Sequence, residues 1–503
     1  MAIPDDTVDP RTRADADIID VLIIGAGISG IGAAYRIHEQ NPHRSYLVLE
    51  RRARIGGTWD LFRYPGVRSD SDIFTLSYPY EPWRRPELVA DGAHIREYLS
   101  RTAAKYGIDD HIRFNTHVHS AHWDSRTDTW TVHVTEDGHP ATHRARFLFF
   151  GTGYYDYDEP YTPDLPGIET FTGTVAHPQH WPETLDWQGK RVVVIGSGAT
   201  AVSLIPALAD RAASVTMLQR SPSYLASIPH VDPVTLKIRK VLPTKASHAA
   251  IRAYRLVIMM GSYWFMRLAP ALGRRVLRDH AVRNLPAGYA VDTHFNPRYD
   301  PWDQRLCLQI DNDLYRAIAE GRADVVTDHI DHFDAAGIVL ASGRRLDADV
   351  IVTATGLRLQ ALGGVELSVD GARVEPRDRF VYKEYLLEDV PNLAWCIGYV
   401  NASWTLRADL TARAVAKLLA YMDSRGYTQA YPHLGGEPMP EKPTWNINAG
   451  YVRRAAHVLP KSGTRRPWNV RHNYVLDMIE HRTDRIEESM VFGRAPVDAA
   501  QLV

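Results

Sequence analysis

"DVLIIGAGISGIGAAYRI", Asp20–Ile37, decides the fold. It opens on an unbroken apolar run, Val21–Ile24, the pattern of a strand covered on both faces of a parallel sheet. Gly25, Gly27 and Gly30 then form G-x-G-x-x-G, and apolar side chains follow at helical spacing at Ile28, Ile31, Ala34, Tyr35 and Ile37. Chemistry needs glycines here for a tight turn and for close approach of backbone N–H groups to a pyrophosphate at the helix start. A second apolar strand, "SYLVLE", ends at Glu50, 20 residues past Gly30, where a carboxylate can accept from a ribose hydroxyl. Strand, glycine turn, helix, strand and terminal acid together describe a dinucleotide-binding unit.

The plan recurs in "KRVVVIGSGATAVSLIPALAD", Lys190–Asp210. Val192–Ile195 reads as the strand; Gly196, Gly198 and Ala201 make G-x-G-x-x-A, with Ala199 and Thr200 at the helix start. The following strand, "SVTMLQRS", ends on Arg220 and Ser221. Arg220 stands 24 residues past Gly196, and Glu50 stands 25 past Gly25, so the same structural position is expected to carry opposite charge in the two units. A carboxylate there repels a 2′-phosphate and an arginine pairs with one. The first unit therefore suits FAD and the second NADPH, which points to electron flow from NADPH to a flavin.

The expected architecture is α/β: two Rossmann-like dinucleotide-binding domains with a helical insertion. The FAD domain is placed at 1–155 and 358–503, the NADPH domain at 156–222 and 297–357, and the insertion at 223–296. "FLFFGTGYY" (Phe147–Tyr155) and "DVIVTATGL" (Asp349–Leu357), each an apolar strand and a Thr-Gly turn, mark the crossings between them. A helix from about Leu406 offers its N-terminus to negative charge on a reduced flavin, with Trp404 beside it as either a packing aromatic or a cofactor contact. The apolar patch "LVIMMGSYWFM" from Leu256 has 11 residues, too few to span a bilayer. It reads as a core helix, with a membrane-contacting face as the alternative.

The totals exclude several classes. With 58 Lys+Arg against 60 Asp+Glu, there is no global basic field for nucleic acid. Two cysteines far apart, Cys307 and Cys396, give no Cys-x-x-Cys, which removes dithiol chemistry and cysteine-rich zinc sites. His117, His119 and His122 alternate along a strand without a carboxylate cluster, so no metal is expected. The polar amino-terminal stretch lacks the apolar core of a signal peptide and reads as a tail. A cytoplasmic protein is expected, with peripheral membrane contact kept open.

Two further stretches resemble type I Baeyer–Villiger monooxygenases. "GGTWDLFRYPGVRSD" meets that family's pattern after the FAD acid at Gly56, Gly57, Trp59, Tyr64, Pro65, Gly66 and Asp70. "FTGTVAHPQHWP" meets its inter-domain fingerprint at Phe171, Gly173, His177, Trp181 and Pro182. The resemblance runs from about Asp20 to about Lys461. It implies FAD and NADPH as cofactors, with Gly57, Thr58, Trp59, Asp70 and Val118 among the cofactor contacts. It implies a catalytic arginine, matched by Arg305 in "YDPWDQRLCL", oriented by Asp70 and keeping oxygen-loaded flavin unprotonated. It also implies that His177 belongs to a linker that rearranges, and that the insertion lines the substrate tunnel. The basic segment 445–468 either covers the cofactor cleft or is solvated surface. Gln304 stands where many members carry a phosphate-binding lysine, which softens the expected preference for NADPH. The implied reaction inserts one atom of O2 beside the carbonyl of a hydrophobic ketone, with sulfur compounds as further substrates. The alternatives are a heteroatom monooxygenase for thioethers, thioamides or amines, and a non-catalytic nucleotide sensor. Trp181-Pro182 argues against the amine oxidisers and the two complete fingerprints against the sensor.

Overall fold

The computed structural model describes residues 18–436, 438–445 and 448–495; the polar stretch 1–17 lies outside them, as do residues 446 and 447 of the basic segment. Two sheets organise the chain. In the larger, strand Ile18–Ile24 runs parallel to Tyr46–Leu49 on one side and to His139–Phe150 on the other. Val21, Leu22 and Ile23 are fully buried, as an unbroken apolar strand requires. An antiparallel meander, Thr116–Asp124, Thr129–Glu136 and His139–Phe150, extends this sheet, and Leu393–Trp395 returns to pair with the end of His139–Phe150. Helix Ile28–Gln40 rests on helix Trp404–Arg425: Arg36 Nε donates to Asp409 Oδ1 at 2.7 Å and the Asn41 amide to the Ala416 carbonyl at 3.0 Å.

The smaller sheet is all parallel, in the order Ala323–Thr327, Ser214–Gln219, Arg191–Ile195, Val350–Thr353, Thr174–Ala176. The two expected crossings lie side by side, because Tyr155–Pro160 pairs antiparallel with Leu357–Leu359. The connection between the two sheets is thus one ribbon.

Over the insertion lie helices Pro233–Val241, Thr244–Leu268 and Pro270–Asn284, the last two meeting at 114°. Among the described residues no single helix is long and apolar enough to cross a membrane. The first half of Thr244–Leu268 is anchored by polar groups. Arg252 Nη1 donates to the carbonyls of Phe74 and Ser77 at 2.8 and 2.6 Å, and His248 Nε2 lies 3.1 Å from the Tyr78 carbonyl. The second half overturns the core-helix reading. Val257, Ile258, Trp264, Phe265 and Leu268 are exposed, since the anchored face belongs to the first half and the helix then runs past its support.

Burial pushes the His248 imidazole down to about 4, with Arg252 acting in the same direction. A histidine whose folded pKa lies below its unfolded value stabilises the fold fully above about 6.5, and that stability is lost as pH falls from about 6.5 to about 4. His248→Gln should therefore flatten the acid slope of Tm in that window by the equivalent of ~1–3 kcal/mol. Tm measured every half pH unit for both proteins checks this; parallel curves would contradict it.

Candidate active site

A cleft of about 260 Å³ opens where the two glycine loops approach each other. From the first unit it takes Gly25, Gly27, Glu50, Gly57, Thr58, Trp59, Asp70 and Val118; from the second, Ala199 and Thr200; and from later in the chain, Arg305 and Trp404. Gly30 lies behind the first turn, where a Cβ would sit 1.8 Å from the Gly25 carbonyl oxygen, so only glycine lets the helix start so close. Gly196 has φ +136°, and a Cβ there would sit 2.3 Å from the Ala354 carbonyl oxygen.

Two uncapped helix N-termini face this space. Gly27 precedes helix Ile28–Gln40 and Gly198 precedes helix Ala199–Ala209, and neither start has a side-chain cap among the described residues. Among the described residues nothing lies within 4 Å of where a Cβ on Gly198 would sit. Free N–H groups and the helix dipole at each start suit a diphosphate. Glu50 is buried, its pKa raised by that burial; its Oε2 accepts from the Ala26 N–H at 2.7 Å and its Oε1 from the Arg52 N–H at 2.9 Å. These two bonds fix the carboxylate at the cleft wall.

The expected pairing of Glu50 with Arg220 needs correction. Gly25 donates to the Leu49 carbonyl and Gly196 to the Leu218 carbonyl, so the position of Glu50 falls on Gln219. The strand registers agree: Ile24 partners Leu49 and Ile195 partners Leu218. The second unit reaches this point in two residues fewer, which counting from the glycines alone does not reveal. Gln219 is buried, its amide donating to the His294 carbonyl and Thr327 Oγ1 at 2.8 and 2.9 Å. Arg220, one residue further, matches Arg51; it is exposed beside Ser221, without an ion pair among the described residues.

Arg305 and Asp70 meet: Nη2 lies 3.0 Å from Oδ2. Burial pulls the guanidinium's pKa down, and Asp70 with the hydroxyls of Tyr154, Tyr451 and Tyr155 more than offsets it, so the net shift is upward. Tyr154 stacks on Trp404 with centroids 5.0 Å apart at 22°, and its hydroxyl is 2.6 Å from that of Tyr155. Trp404 Nε1 donates to Ser29 Oγ at 2.7 Å, tying this stack to the first loop. Trp404 begins its helix, two residues before the expected start.

Two aromatic residues of the 445–468 stretch reach this cluster. Trp445 meets Tyr154 edge-on at 5.1 Å, and Tyr451, its pKa pushed up to about 12 by burial, faces Arg305. Tyr154, Tyr155, Tyr451 and Ser29 were not singled out in the sequence. Tyr154 and Tyr155 end the "FLFFGTGYY" crossing, and an aromatic pair at a domain crossing was the available signal.

The inter-domain fingerprint sits apart from the cleft. Thr174–Ala176 is the edge strand of the smaller sheet; Phe171 is buried, Gly173 and Pro182 are exposed, and Trp181 meets Trp187 edge-on at 6.0 Å. His177 follows the strand, and its Nδ1 accepts from the Gln179 N–H at 3.1 Å. Its buried Nε2 has no well-formed hydrogen bond among the described residues, and burial, only partly opposed by the nearby Gly356 backbone, pushes the ring down to about 4. His119 bonds Thr135 and His122 bonds Ser368 through hydroxyls, and no metal-sized cluster of ligating side chains occurs among the described residues.

Residues 22–257 match the family model described as pyridine nucleotide-disulphide oxidoreductase. The FAD-containing monooxygenase EthA of Mycolicibacterium smegmatis is 48% identical over 96% of this chain and 99% of its own length. The chain belongs to the FAD-containing monooxygenases. The fold of this monooxygenase is that of an oxidized steroid monooxygenase bound to NADP, with TM-score 0.75 at 24% identity over 94% of this chain and 99% of the other. It is likewise that of a Rhodococcus cyclohexanone monooxygenase bound to NADP+, with TM-score 0.74 at 20% identity over 95% and 99%. The disulphide in the family model's description has no counterpart in this monooxygenase: Cys307 and Cys396 are both free and buried, their thiols pushed up by burial to about 12 and about 11.

Among the described residues none of 223–296 reaches the cofactor cleft of the monooxygenase. Met260, Tyr263 and Trp264 wall a small pocket that shares Ala402 with the cleft. The long helix docks on residues 73–78, and this seats it beside Ala402 and not over Arg305.

Proposed function

We propose that this flavin monooxygenase uses NADPH to insert one oxygen atom of O2 beside the carbonyl of an apolar ketone, giving an ester or lactone, with sulfur compounds as a second substrate class. In this reading residues 1–155 and 358–503 hold FAD, and 156–222 and 297–357 hold NADPH. The observation that carries it is the Arg305–Asp70 pair, 3.0 Å apart at the wall of a cleft bordered by both glycine loops.

Bound FAD supplies a hydride acceptor and a place to activate O2. The protein's share is positioning and charge. The N–H groups at the start of helix Ile28–Gln40 hold a diphosphate, and Glu50 accepts from a ribose hydroxyl. Arg305 keeps its protons at every working pH, so it stabilises an oxygen anion without neutralising it. Asp70 holds the guanidinium in place during hydride transfer. Tyr154, Trp404 and Trp445 exclude water from this side, which strengthens the charge interactions. The fold shared with structures named for cyclohexanone and a steroid supports a carbonyl substrate. His177, between the edge strand and the crossing ribbon, acts as a hinge and not as a proton donor.

Arg220 takes the 2′-phosphate in this reading. Its exposure at the strand end next to Gly196, free of ion pairs among the described residues, supports that role. Arg220→Ala should raise KM for NADPH about 10- to 100-fold, the worth of one or two charged hydrogen bonds, and leave KM for NADH nearly unchanged. Equal efficiency of the unmodified enzyme with the two nucleotides would contradict the assignment. The reaction itself is tested by a panel of linear, cyclic and aryl ketones plus thioethers, scored for NADPH consumption and product together. Oxidised sulfur products with no ester from any ketone would replace this reading by heteroatom oxygenation.

A further inference from the structure

The insertion carries a helical face turned the wrong way for a core. Val257, Ile258, Trp264, Phe265 and Leu268 recur at the spacing of one helix face, with Gly261 between them, and all are exposed, Val257 by 72% and Leu268 by 78%. The next helix continues it with exposed Leu272 and Val276. Tyr474 shares the small cavity with Trp264, so exposed Val475 and Leu476 flank the same area. A run of exposed apolar side chains along one helix face of a folded protein marks a contact.

Charge says what kind. Residues 223–296 contain eleven Lys and Arg against three Asp and no Glu, while the whole chain carries a net charge of −2. Part of this charge is used internally: Arg252 is buried, Arg239 donates to the Trp83 and Arg85 carbonyls, and Arg267, Arg274 and Arg278 pair with Asp303, Asp300 and Asp292. Lys237, Lys240, Lys245 and Arg283 are exposed with no carboxylate partner among the described residues. Two copies of so basic a segment would repel each other, whereas a segment with an exposed apolar helix face and free lysines matches the acyl boundary and headgroups of an anionic bilayer.

We propose that the insertion docks this enzyme on anionic membrane surfaces, with the apolar face of Val257–Leu268 entering the headgroup–acyl boundary and Lys237, Lys240 and Lys245 meeting the headgroups. The cavity under Trp264 that shares Ala402 with the cofactor cleft then opens beside the bilayer, where apolar substrates accumulate. That last consequence rests on the proposed function; the docking does not.

The test is flotation of the full-length, FAD-loaded enzyme with vesicles of phosphatidylcholine alone and of phosphatidylcholine with phosphatidylglycerol. The enzyme should float with the anionic vesicles and stay behind with the zwitterionic ones. Val257→Ser/Leu268→Ser and Lys240→Glu/Lys245→Glu should each weaken that binding at least about tenfold. Both pairs should leave NADPH oxidation in vesicle-free solution unchanged, which shows that they fold. No binding to either vesicle, binding indifferent to lipid charge, or binding that both variants retain overturns the proposal. So does a dimer in sedimentation that Val257→Ser/Leu268→Ser dissolves, which would make a second copy the occupant.

Discussion

Arg305→Ala should leave NADPH oxidation running and stop ester formation. The guanidinium is a permanent cation at the cleft wall beside the Tyr154–Trp404 stack, and its partner Asp70 stays behind without it when it is removed. Loss of one fixed donor to a developing oxygen anion costs about 10²- to 10³-fold in rate. Here the leftover Asp70 charge adds repulsion, so product formation should fall by at least about 10³-fold. Reducing equivalents should then emerge as hydrogen peroxide in near-stoichiometric yield with NADPH consumed. Arg305→Lys keeps the charge but not the planar fork, and should recover only a small part of the activity. Asp70→Asn should fall between them, because it removes orientation and leaves the cation. The measurement is paired: NADPH by absorbance and ester by chromatography in one reaction. If Arg305→Ala forms ester at the unmodified rate, the cation has no part in the chemistry.

The second large effect falls on Gly30. A methyl group there would lie 1.8 Å from the Gly25 carbonyl oxygen and 3.0 Å from its carbonyl carbon, both backbone atoms of the turn itself. No rotamer relieves such a contact. Either the helix start withdraws from strand Ile18–Ile24 or the turn opens, and each destroys the N–H cradle. Gly30→Ala should yield protein with little or no bound flavin, and overpacking of this kind costs about 1–3 kcal/mol or more of stability. Gly198→Ala is the matching control, since among the described residues nothing lies within 4 Å of a Cβ there. It should keep its flavin and its Tm. Flavin absorbance against protein absorbance, with thermal unfolding of the three proteins, reads this out. A fully yellow Gly30→Ala variant would contradict the account of the first loop.

Local pattern carried most of the fold. The apolar runs at Val21–Ile24 and Val192–Ile195, each followed by a glycine turn, read as buried strands of parallel sheets, and both pair in parallel with a neighbour on either side. The Thr-Gly crossings were legible for the same reason, although their pairing into one ribbon depends on partners some 200 residues apart, beyond any local pattern. The site was less legible. No spacing links Asp70 to Arg305; family resemblance alone brought them together. Tyr451 joins them from a segment that composition describes only as basic. Arg220 shows a limit of counting, because strand register and not distance from a glycine decides which side chains are equivalent. The stripe at Val257–Leu268 shows another. Periodicity tells that a helix has an apolar face, but only the anchoring of His248 and Arg252 tells that this face points away from the core.

Oxygen labelling tests the central claim most directly. The FAD-loaded enzyme is turned over with NADPH and a cyclic ketone under 18O2, and the products are read by mass spectrometry. The account predicts a lactone two mass units heavier, with the label in the ring oxygen and about one NADPH consumed per lactone formed. NADPH consumption with no labelled lactone from any ketone of the panel, while a thioether emerges labelled at sulfur, would contradict it.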